Sequence, residues 1–252
     1  MSEAAIKTQP IRPAATVILV RPVPHSYEIF MLRRTSKAAF AADMYVFPGG
    51  RVDPEDHFNK YAQVCTGPAT EQSAQAKALG YDHLGFWVAG IRESFEEAGL
   101  LLAYDKAGNY LEFANSQMAE RFAAMREPLH DHKLSLHEIC EREQLTLAVD
   151  RIHYYNRVVT PRGRPRRFDT RFFIAEAPVG QTGTHDKIET VDSIWITPEE
   201  ALKRNASDSF GLMRITHMQL SELAAFRSVD ALMAMARERR EFPVSRPKLP
   251  RN

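Results

Sequence analysis

The sequence predicts an α/β fold, in which a mixed sheet lies between layers of helices and carries helical insertions. Short β-branched segments open the chain at residues 14–20 and 27–32, and longer helical patterns follow them. The composition, 44% hydrophobic and 26% charged, is that of an ordinary globular protein with a sizeable core. Strands and helices alternating in such a chain favour one core built from a sheet and the helices packed on it.

The strands and helices are predicted from local patterns. Five segments have the length and the β-branched or alternating composition of strands, namely residues 14–20, 27–32, 151–159, 167–176 and 190–196. Helical patterns cover residues 71–79, 86–102 and 116–126, begin again at Ser135 and Thr197, and occur twice within 212–240.

Three helix ends carry recognisable signals. Gly99 is typical of a residue that ends a helix, and the spacing of Ser135 and Glu138 matches a capping box. Thr197 followed by Pro198 is typical of a helix start.

The domain organisation follows from these elements. We expect one domain over residues 10–242, with flexible termini at 1–9 and 243–252. Residues 57–85, which lack a clear period, and the helical residues 112–145 are interpreted as insertions.

Composition excludes several classes of protein. The formal net charge of +1 gives no global attraction to nucleic acid or to a membrane surface. Cys65 and Cys140 cannot form a disulfide framework and lack metal-ligand spacing. The chain shows neither a secretory signal nor an apolar run of the roughly 18 residues that a membrane span needs. We expect a cytoplasmic protein without membrane contact.

The segment with the clearest chemical meaning is a run of acidic residues in the helix at 86–102. Glu93, Glu96 and Glu97 stand at positions i, i+3 and i+4, so their carboxylates share one helix face. Converging carboxylates repel, and a hard divalent cation is the ligand that would favour convergence. The plain alternative is an acidic helix face exposed to solvent.

The context resembles the box motif of the Nudix hydrolases, G-x5-E-x7-R-E-U-x-E-E-x-G-U, where U is apolar. Gly50, the second glycine of Phe47-Pro48-Gly49-Gly50, takes the place of the first glycine, and residues 92–100 match every fixed residue of the second half. The sequence departs at Ser94, where an apolar residue is usual, and at Asp56, which with Glu55 beside it replaces the first glutamate. The spacing from Asp56 to Arg92 is far longer than in the pattern, a feature of the family branch that includes peroxisomal coenzyme A diphosphatase.

The resemblance implies a Nudix α/β/α sandwich and a set of site residues. Glu93, Glu96 and Glu97 would bind Mg²⁺ or Mn²⁺, together with a loop carboxylate for which Glu189 is the candidate and Asp186 the second choice. Arg92 would orient a glutamate of the motif, so the catalytic residues are Arg92, Glu93 and Glu96. The general base is either Glu93 or the loop acid.

A second motif bears on the substrate. Coenzyme A pyrophosphatases of the family carry LLTxRSx3Rx3Gx3FPGG, whose Arg-Ser pair corresponds to Arg34-Thr35, although Ala39 and Asp43 replace its second arginine and its glycine. We expect Arg34, Gly49 and Gly50 to bind a small nucleotide substrate, with coenzyme A or an acyl derivative favoured. NADH, ADP-ribose and dinucleoside polyphosphates are the alternatives.

A group of arginines lies in the predicted hairpin at 151–176. Arginine suits phosphate, so Arg166, Arg167 and Arg171 are candidates for binding the 3′-phosphate of coenzyme A. Strand alternation puts Arg167 on one face and Phe168 on the other, so an inward arginine would be a substrate contact or a buried ion pair. Residues 161–167, PRGRPRR, also resemble an AT-hook, and the rival hypothesis is a non-catalytic nucleic-acid-binding or regulatory protein. The oligomeric state is open, with a homodimer as one option.

Overall fold

A mixed sheet of eight strands forms the centre of the computed structural model, which describes residues 10–38, 40–164 and 166–247. The strands of this sheet are β1 (Ile11–Val23), β2 (Ser26–Arg34), β3 (Tyr45–Val46), β4 (Gly49–Arg51), β7 (Ile152–Val159), β8 (Arg167–Glu176), β9 (Thr190–Ile196) and β10 (Val244–Ser245). A separate pair consists of β5 (Ala103–Tyr104) and β6 (Thr146–Leu147). The β1–β8 and β10–β7 pairs are parallel and the other pairs are antiparallel, which confirms the predicted mixed sheet.

Strand β1 is central, and its two halves have different neighbours. Along one edge it pairs with β8 from Ile11 to Val20. Along the other edge its last residues, Val20–Val23, pair with β2, whereas Ala14–Thr16 pair with β4. The glycine pair of β4 is therefore held beside the first half of the central strand.

Helices cover both sides of the sheet. They are α1 (Ser73–Leu79), α2 (His83–Ala98), α3 (Ser116–His130), α4 (Leu136–Glu143), α5 (Pro198–Ala206), α6 (Arg214–Leu223) and α7 (Val229–Glu238). Alternation along β1 divides the core: Val17 and Leu19 pack with α2, α3 and α4, while Ile18 and Val20 pack with α5, α6 and α7. The fold is thus the predicted α/β/α sandwich. None of the helices in the described ranges has the length and apolar character of a membrane span.

The predicted helix ends are confirmed. Gly99 follows α2 with φ of 68°, in the left-handed region that favours glycine. Ser135 and Glu138 form the predicted capping box, and the Thr197 side chain accepts a hydrogen bond from the Glu200 N–H.

The insertion at 57–85 is an ordered, anchored segment. Short 3-10 helices over Pro54–His57, Asn59–Gln63 and Thr70–Gln72 lead into α1, as the prediction of a helix at 71–79 requires. Two fully buried glutamines attach it to the sheet: Gln72 donates to the carbonyls of Val149 and Ile152, and Gln75 accepts from the Tyr154 N–H. These amides hydrogen-bond backbone groups in and just before β7, where the Ile152 carbonyl also accepts from Trp87 Nε1.

The C-terminal boundary differs from the prediction. Residues 243–252 were expected to be a flexible terminus, but Val244–Ser245 form β10 and pair with Arg157 and Val158 of β7. A parallel partner distant in the sequence gives no local pattern, and a two-residue strand is too short to predict. The terminus at 1–9 and residues 248–252 lie outside the described residues.

Candidate active site

The three glutamates of α2 are buried. Glu93, Glu96 and Glu97 are only 8%, 7% and 7% exposed, so the alternative of a solvent-exposed acidic face is wrong. The opposite side of the helix is held by Ile91 and Phe95, which are fully buried in the core as their spacing predicts.

Arg92 joins the two halves of the split motif. Its guanidinium donates two parallel hydrogen bonds to Asp56, Nε to Oδ1 and Nη2 to Oδ2, both 3.0 Å. It also donates to Glu93 Oε1 at 3.0 Å, to both Glu96 oxygens at 3.3 Å and to the Arg51 carbonyl at 2.7 Å. Asp56 rather than Glu55 therefore takes the position of the first acid, and Arg92 hydrogen-bonds three carboxylates of the motif.

The glycine pair allows the backbone to approach these carboxylates. The Gly49 N–H donates to Glu97 Oε2 at 2.8 Å. A Cβ atom at Gly50 would lie 2.5 Å from Glu93 Oε1, and one at Gly49 would lie 2.6 Å from the Ala15 carbonyl oxygen. Side chains at either position would displace the acidic residues or the central strand.

The carboxylates carry more negative charge than their surroundings compensate. Burial raises the pKa of Glu93 to about 8, against the opposing charge of Arg92. Burial also raises the pKa of Glu97 well above its usual range, with the charges of Glu93 and Glu189 adding to the effect. The pKa of Glu96 is raised in the same direction by burial, although Arg92 and His130 oppose it. This balance favours either a bound proton or a bound cation.

The predicted loop acids have different roles. Asp186 Oδ1 accepts hydrogen bonds from the backbone N–H groups of Ile188, Glu189 and Thr190 and from the Thr190 hydroxyl. It therefore holds the loop in shape. Glu189 reaches the site, where its Oε2 accepts from Arg34 Nη2 at 2.9 Å, while its carbonyl accepts from the Thr35 N–H.

A cavity of about 510 Å³ connects these groups. The predicted site residues that line it are Arg34, Gly49, Gly50, Arg92, Glu93, Glu96, Glu97, Arg166, Asp186 and Glu189. The sequence prediction therefore identified one continuous site, drawn from β2, β4, α2, the β7–β8 hairpin and the loop before β9.

Two predicted substrate-binding arginines are not in this cavity. Arg171 forms an ion pair with Asp169 at 3.0 Å, and its guanidinium lies 4.2 Å from the ring centre of Phe86 in α2. Arg167 is buried and donates to the Thr160 carbonyl. Alternation turns Phe168, Thr170 and Phe172 of the same strand toward the cavity instead. For Arg171, the buried ion pair is the correct alternative.

Several cavity residues escaped prediction. Arg12 lies in β1 before the apolar run, Phe40 and Phe168 form a ring pair with centroids 6.3 Å apart, and His130 and His132 end and follow α3. Alternation of Arg12 with Ala14 and Thr16 was a usable signal, since all three point to the cavity. The histidines had no metal-ligand spacing, so nothing local distinguished them from surface residues.

Comparison with known proteins identifies the family. A sequence model of the family described as NUDT19 Nudix domain matches residues 68–223, more than half of the chain. The chain belongs to this Nudix family. The resemblance to Nudix hydrolases related to coenzyme A diphosphatase is thereby confirmed.

Curated relatives agree with this assignment. Acyl-coenzyme A diphosphatase NUDT19 of Xenopus laevis is 26% identical over 235 residues, which cover 82% of this chain and 62% of the relative. The protein of that name from Gallus gallus is 24% identical over 249 residues, covering 86% and 66%. This Nudix chain thus spans less than two thirds of the length of either relative.

A solved structure agrees with the fold. The crystal structure of a NUDIX hydrolase from Alicyclobacillus acidocaldarius matches with a TM-score of 0.72 and 24% identity, covering 90% of this chain and 96% of that one. The predicted Nudix sandwich is confirmed by this likeness.

Nudix hydrolases in general use divalent metal cations, and the acidic residues here offer a suitable donor set. Carboxylate oxygens are the ligands that hard cations prefer, and the raised pKa values of Glu93 and Glu97 show charge that a cation would neutralise. In the described part of the chain, no three acidic, histidine or cysteine side chains are grouped closely enough to hold a metal ion. Arg92 donates to both Glu93 and Glu96, so a cation held by these carboxylates would compete with the guanidinium for their oxygens.

Proposed function

We propose that this Nudix chain is a metal-dependent hydrolase that cleaves a diphosphate bond in a nucleoside diphosphate derivative. The favoured substrate is coenzyme A or an acyl-coenzyme A, giving 3′,5′-ADP and phosphopantetheine or its acyl form. The observation that carries the proposal is the buried, undercompensated carboxylate cluster of α2, which contacts a glycine pair and lines a substrate-sized cavity with it.

The arrangement suits attack on an anionic group. Mg²⁺ or Mn²⁺ held by Glu93, Glu96, Glu97 and Glu189 would neutralise diphosphate oxygens and acidify a bound water. Gly49 and Gly50 line the cavity together with Arg34, which forms an ion pair with Glu189. Water adds to one phosphorus, the bond from that phosphorus to the bridging oxygen breaks, and the leaving phosphate takes the electron pair. Glu93 or Glu189 would act as the base that takes a proton from the attacking water.

Two cavity cations support a substrate with an additional phosphate. Arg34, Arg51 and Arg92 all have carboxylate partners, whereas Arg12 and Arg166 form no ion pair with any described residue. Arg12 is four residues from Thr16, the register partner of Gly49, which places it about 13 Å along β1 from the glycines. The exposed ring of Phe40 and the neighbouring Phe168 offer apolar surface for a base. A nucleoside that carries a 3′-phosphate fits this end of the cavity.

The relatives named acyl-coenzyme A diphosphatase favour the same choice. A substrate panel tests it: coenzyme A, acetyl-coenzyme A, NADH, ADP-ribose and a dinucleoside polyphosphate, each with Mg²⁺ and with Mn²⁺, and products identified by mass. We expect the highest kcat/KM for coenzyme A or its acyl form. A higher kcat/KM for any of the other three would replace the favoured substrate, and no hydrolysis of any would reject the enzyme.

The nucleic-acid hypothesis predicts a different outcome. Residues 161–167 link two strands of the sheet, and Arg167 at their end is buried, unlike a freely exposed basic segment. Three results together would support that hypothesis instead. The protein would be retained on A·T-rich duplex at low salt, replacing Arg162 and Arg164 by alanine would abolish this retention, and no panel member would be hydrolysed.

A further inference from the structure

The last turn of α2 ends against an arginine from the helical insertion. The last carbonyls of a helix have no intrahelical donor. Here every carbonyl from residue 94 to residue 98 nevertheless accepts a hydrogen bond. The carbonyls of Ser94 and Phe95 accept from Leu100 N–H and Gly99 N–H. The carbonyl of Ala98 accepts from the Thr184 N–H at 2.8 Å.

Arg126 of α3 serves the remaining two carbonyls. Its Nε donates to the Glu96 carbonyl at 3.1 Å and its Nη2 to the Glu97 carbonyl at 2.9 Å. These are the backbone carbonyls of two glutamates whose side chains line the cavity. A cation at this position also interacts favourably with the helix dipole.

The same guanidinium reaches the loop that leads to Glu189. Nη2 donates to the Thr184 carbonyl at 2.8 Å and Nη1 to the Thr184 hydroxyl at 3.1 Å. Two residues further on, Asp186 fixes the backbone N–H of Glu189. Arg126 therefore bonds both polypeptide segments that carry the proposed metal-binding acids.

The contacts of α3 on both sides of Arg126 fix the position of its side chain. Phe122, one turn before Arg126, packs edge-on against Phe95 with ring centroids 6.3 Å apart. His130, one turn after it, lines the cavity on the side of Glu96. A Cβ atom at Gly99 would lie 3.1 Å from Arg126 Nη1, so the residue that ends α2 has to be small as well as left-handed.

We propose that Arg126 is a positioning residue, which sets the separation between Glu96 and Glu97 on α2 and Glu189 on the loop. The test of this proposal by kcat and KM rests on the proposed hydrolysis, whereas its test by the Mn²⁺ Kd does not. Lysine at this position keeps the charge but loses the planar fork that bonds two segments at once. Alanine loses both.

The test compares Arg126→Ala and Arg126→Lys with Met125→Ala, a truncation of the adjacent, half-buried core residue on the same helix. Three quantities are measured at a temperature below every Tm: kcat, KM and the Kd for Mn²⁺ from calorimetry without substrate. We expect Arg126→Ala to lower kcat about 10- to 100-fold and to raise the Mn²⁺ Kd several-fold, because misplacing reactive groups by about 1 Å has effects of this size. KM should change little, and Arg126→Lys should fall between Arg126→Ala and the wild type.

Met125→Ala should lower Tm and leave kcat and the Mn²⁺ Kd near the wild type. Equal kcat and Kd in Arg126→Ala and Met125→Ala would overturn the proposal and leave Arg126 a packing residue. If Arg126→Ala does not fold, Arg126→Lys decides, and unchanged kcat and Kd in that variant would overturn it. If the wild type hydrolyses no diphosphate, the proposed function fails, and the Mn²⁺ Kd alone decides the role of Arg126.

Discussion

The protein contains two clusters of arginine and carboxylate, one buried around Arg92 and one partly buried around Asp169, whose charges are balanced in opposite ways. Around Asp169, burial alone would raise the pKa of the carboxyl, but Arg157 and Arg171 outweigh burial and the pKa is lowered. Around Arg92, burial and the mutual repulsion of the acids outweigh the single arginine, and the pKa values of Glu93 and Glu97 are raised.

The difference distinguishes a structural cluster from a reactive one. Asp169 receives a two-pronged contact from Arg157, at 2.7 and 2.6 Å, and a second arginine at 3.0 Å. Its charge is already neutralised within the protein, so it has no need of a ligand. The acids of α2 have one arginine among them and line a cavity, which leaves charge for a cation to neutralise. The two clusters share their residue types, but the acids of α2 are more deeply buried and have fewer arginines to balance them.

The largest expected effect is on turnover. Glu93→Gln and Glu97→Gln should each lower kcat by about 100-fold or more, since each removes a charge proposed to act on the transition state. The metal-free fold should survive, because glutamine keeps a carbonyl oxygen to accept the hydrogen bonds from Arg92 and Gly49 and removes one repelling charge. Steady-state kinetics at saturating Mg²⁺ and thermal unfolding in EDTA measure the two effects.

Glu55→Gln is the matched control, since Glu55 is exposed and adjacent to Asp56 but makes no contact with Arg92. It should keep wild-type turnover. Near-wild-type turnover in either α2 variant would show that the undercompensated cluster is not the reactive one.

The next effect concerns substrate choice. Arg12→Ala or Arg166→Ala should reduce kcat/KM for coenzyme A about 10- to 100-fold and spare dephospho-coenzyme A, because a charged hydrogen bond contributes about 1.5–3 kcal/mol. Arg164→Ala, on the same hairpin but outside the cavity, is the control. Equal losses of kcat/KM on both substrates would show that these arginines bind the diphosphate instead of the 3′-phosphate.

A smaller effect is expected at the neutralised cluster. Asp169→Asn should lower the free energy of unfolding by about 1–3 kcal/mol, because Arg157 and Arg171 lose their shared partner and repel. Turnover of coenzyme A should stay within about twofold of the wild type. Urea denaturation and steady-state kinetics are measured on the same preparation. A selective loss of coenzyme A hydrolysis would show that Arg171 belongs to the substrate site.

The two clusters also differ in the pH dependence of metal-free stability. Between the unfolded pKa of glutamate, about 4.3, and the folded value of about 8, the folded protein retains a proton at Glu93 that the unfolded chain has lost. Stability at this site should therefore fall as pH rises through that window, and Glu93→Gln should remove the fall.

Asp169 should show the opposite sign. Its lowered pKa contributes stability above the unfolded pKa of aspartate, about 3.9, and that stability is lost as pH falls through the lower folded value. Thermal unfolding in EDTA across pH, for the wild type and for Asp169→Asn, measures it. Slopes of the same sign for the two clusters would contradict their opposite charge balance.

Local patterns in the sequence predicted most of the fold. The five predicted strands, the helix carrying the glutamates and three helix ends depend on contacts within a few residues, and they are confirmed, except that the helix ends at Ala98 rather than Leu102. The strands β3, β4, β5, β6 and β10 were missed, because two or three residues are too few to show a periodic pattern.

The site was predictable where a motif fixed it and less so elsewhere. Alternation correctly separated Arg167 from Phe168, but it could not tell which face of the strand borders the cavity. That depends on α2 covering Arg171 through Phe86, a contact between distant segments. Arg126 had no signal at all, because its role is defined by backbone carbonyls of another helix.

The contact between Asp56 and Arg92 also determines how easily residues can be inserted between them. It closes a loop of 36 residues, roughly two doublings of the spacing in the compact x7 pattern. Chain entropy penalises loop closure only logarithmically, so the longer segment costs about 1 kcal/mol more to close. Residues can therefore be added at the exposed turn around Tyr81 at little entropic cost, while the buried anchors Gln72 and Gln75 stay in place. This is a natural position for grafting a reporter peptide or a foreign domain.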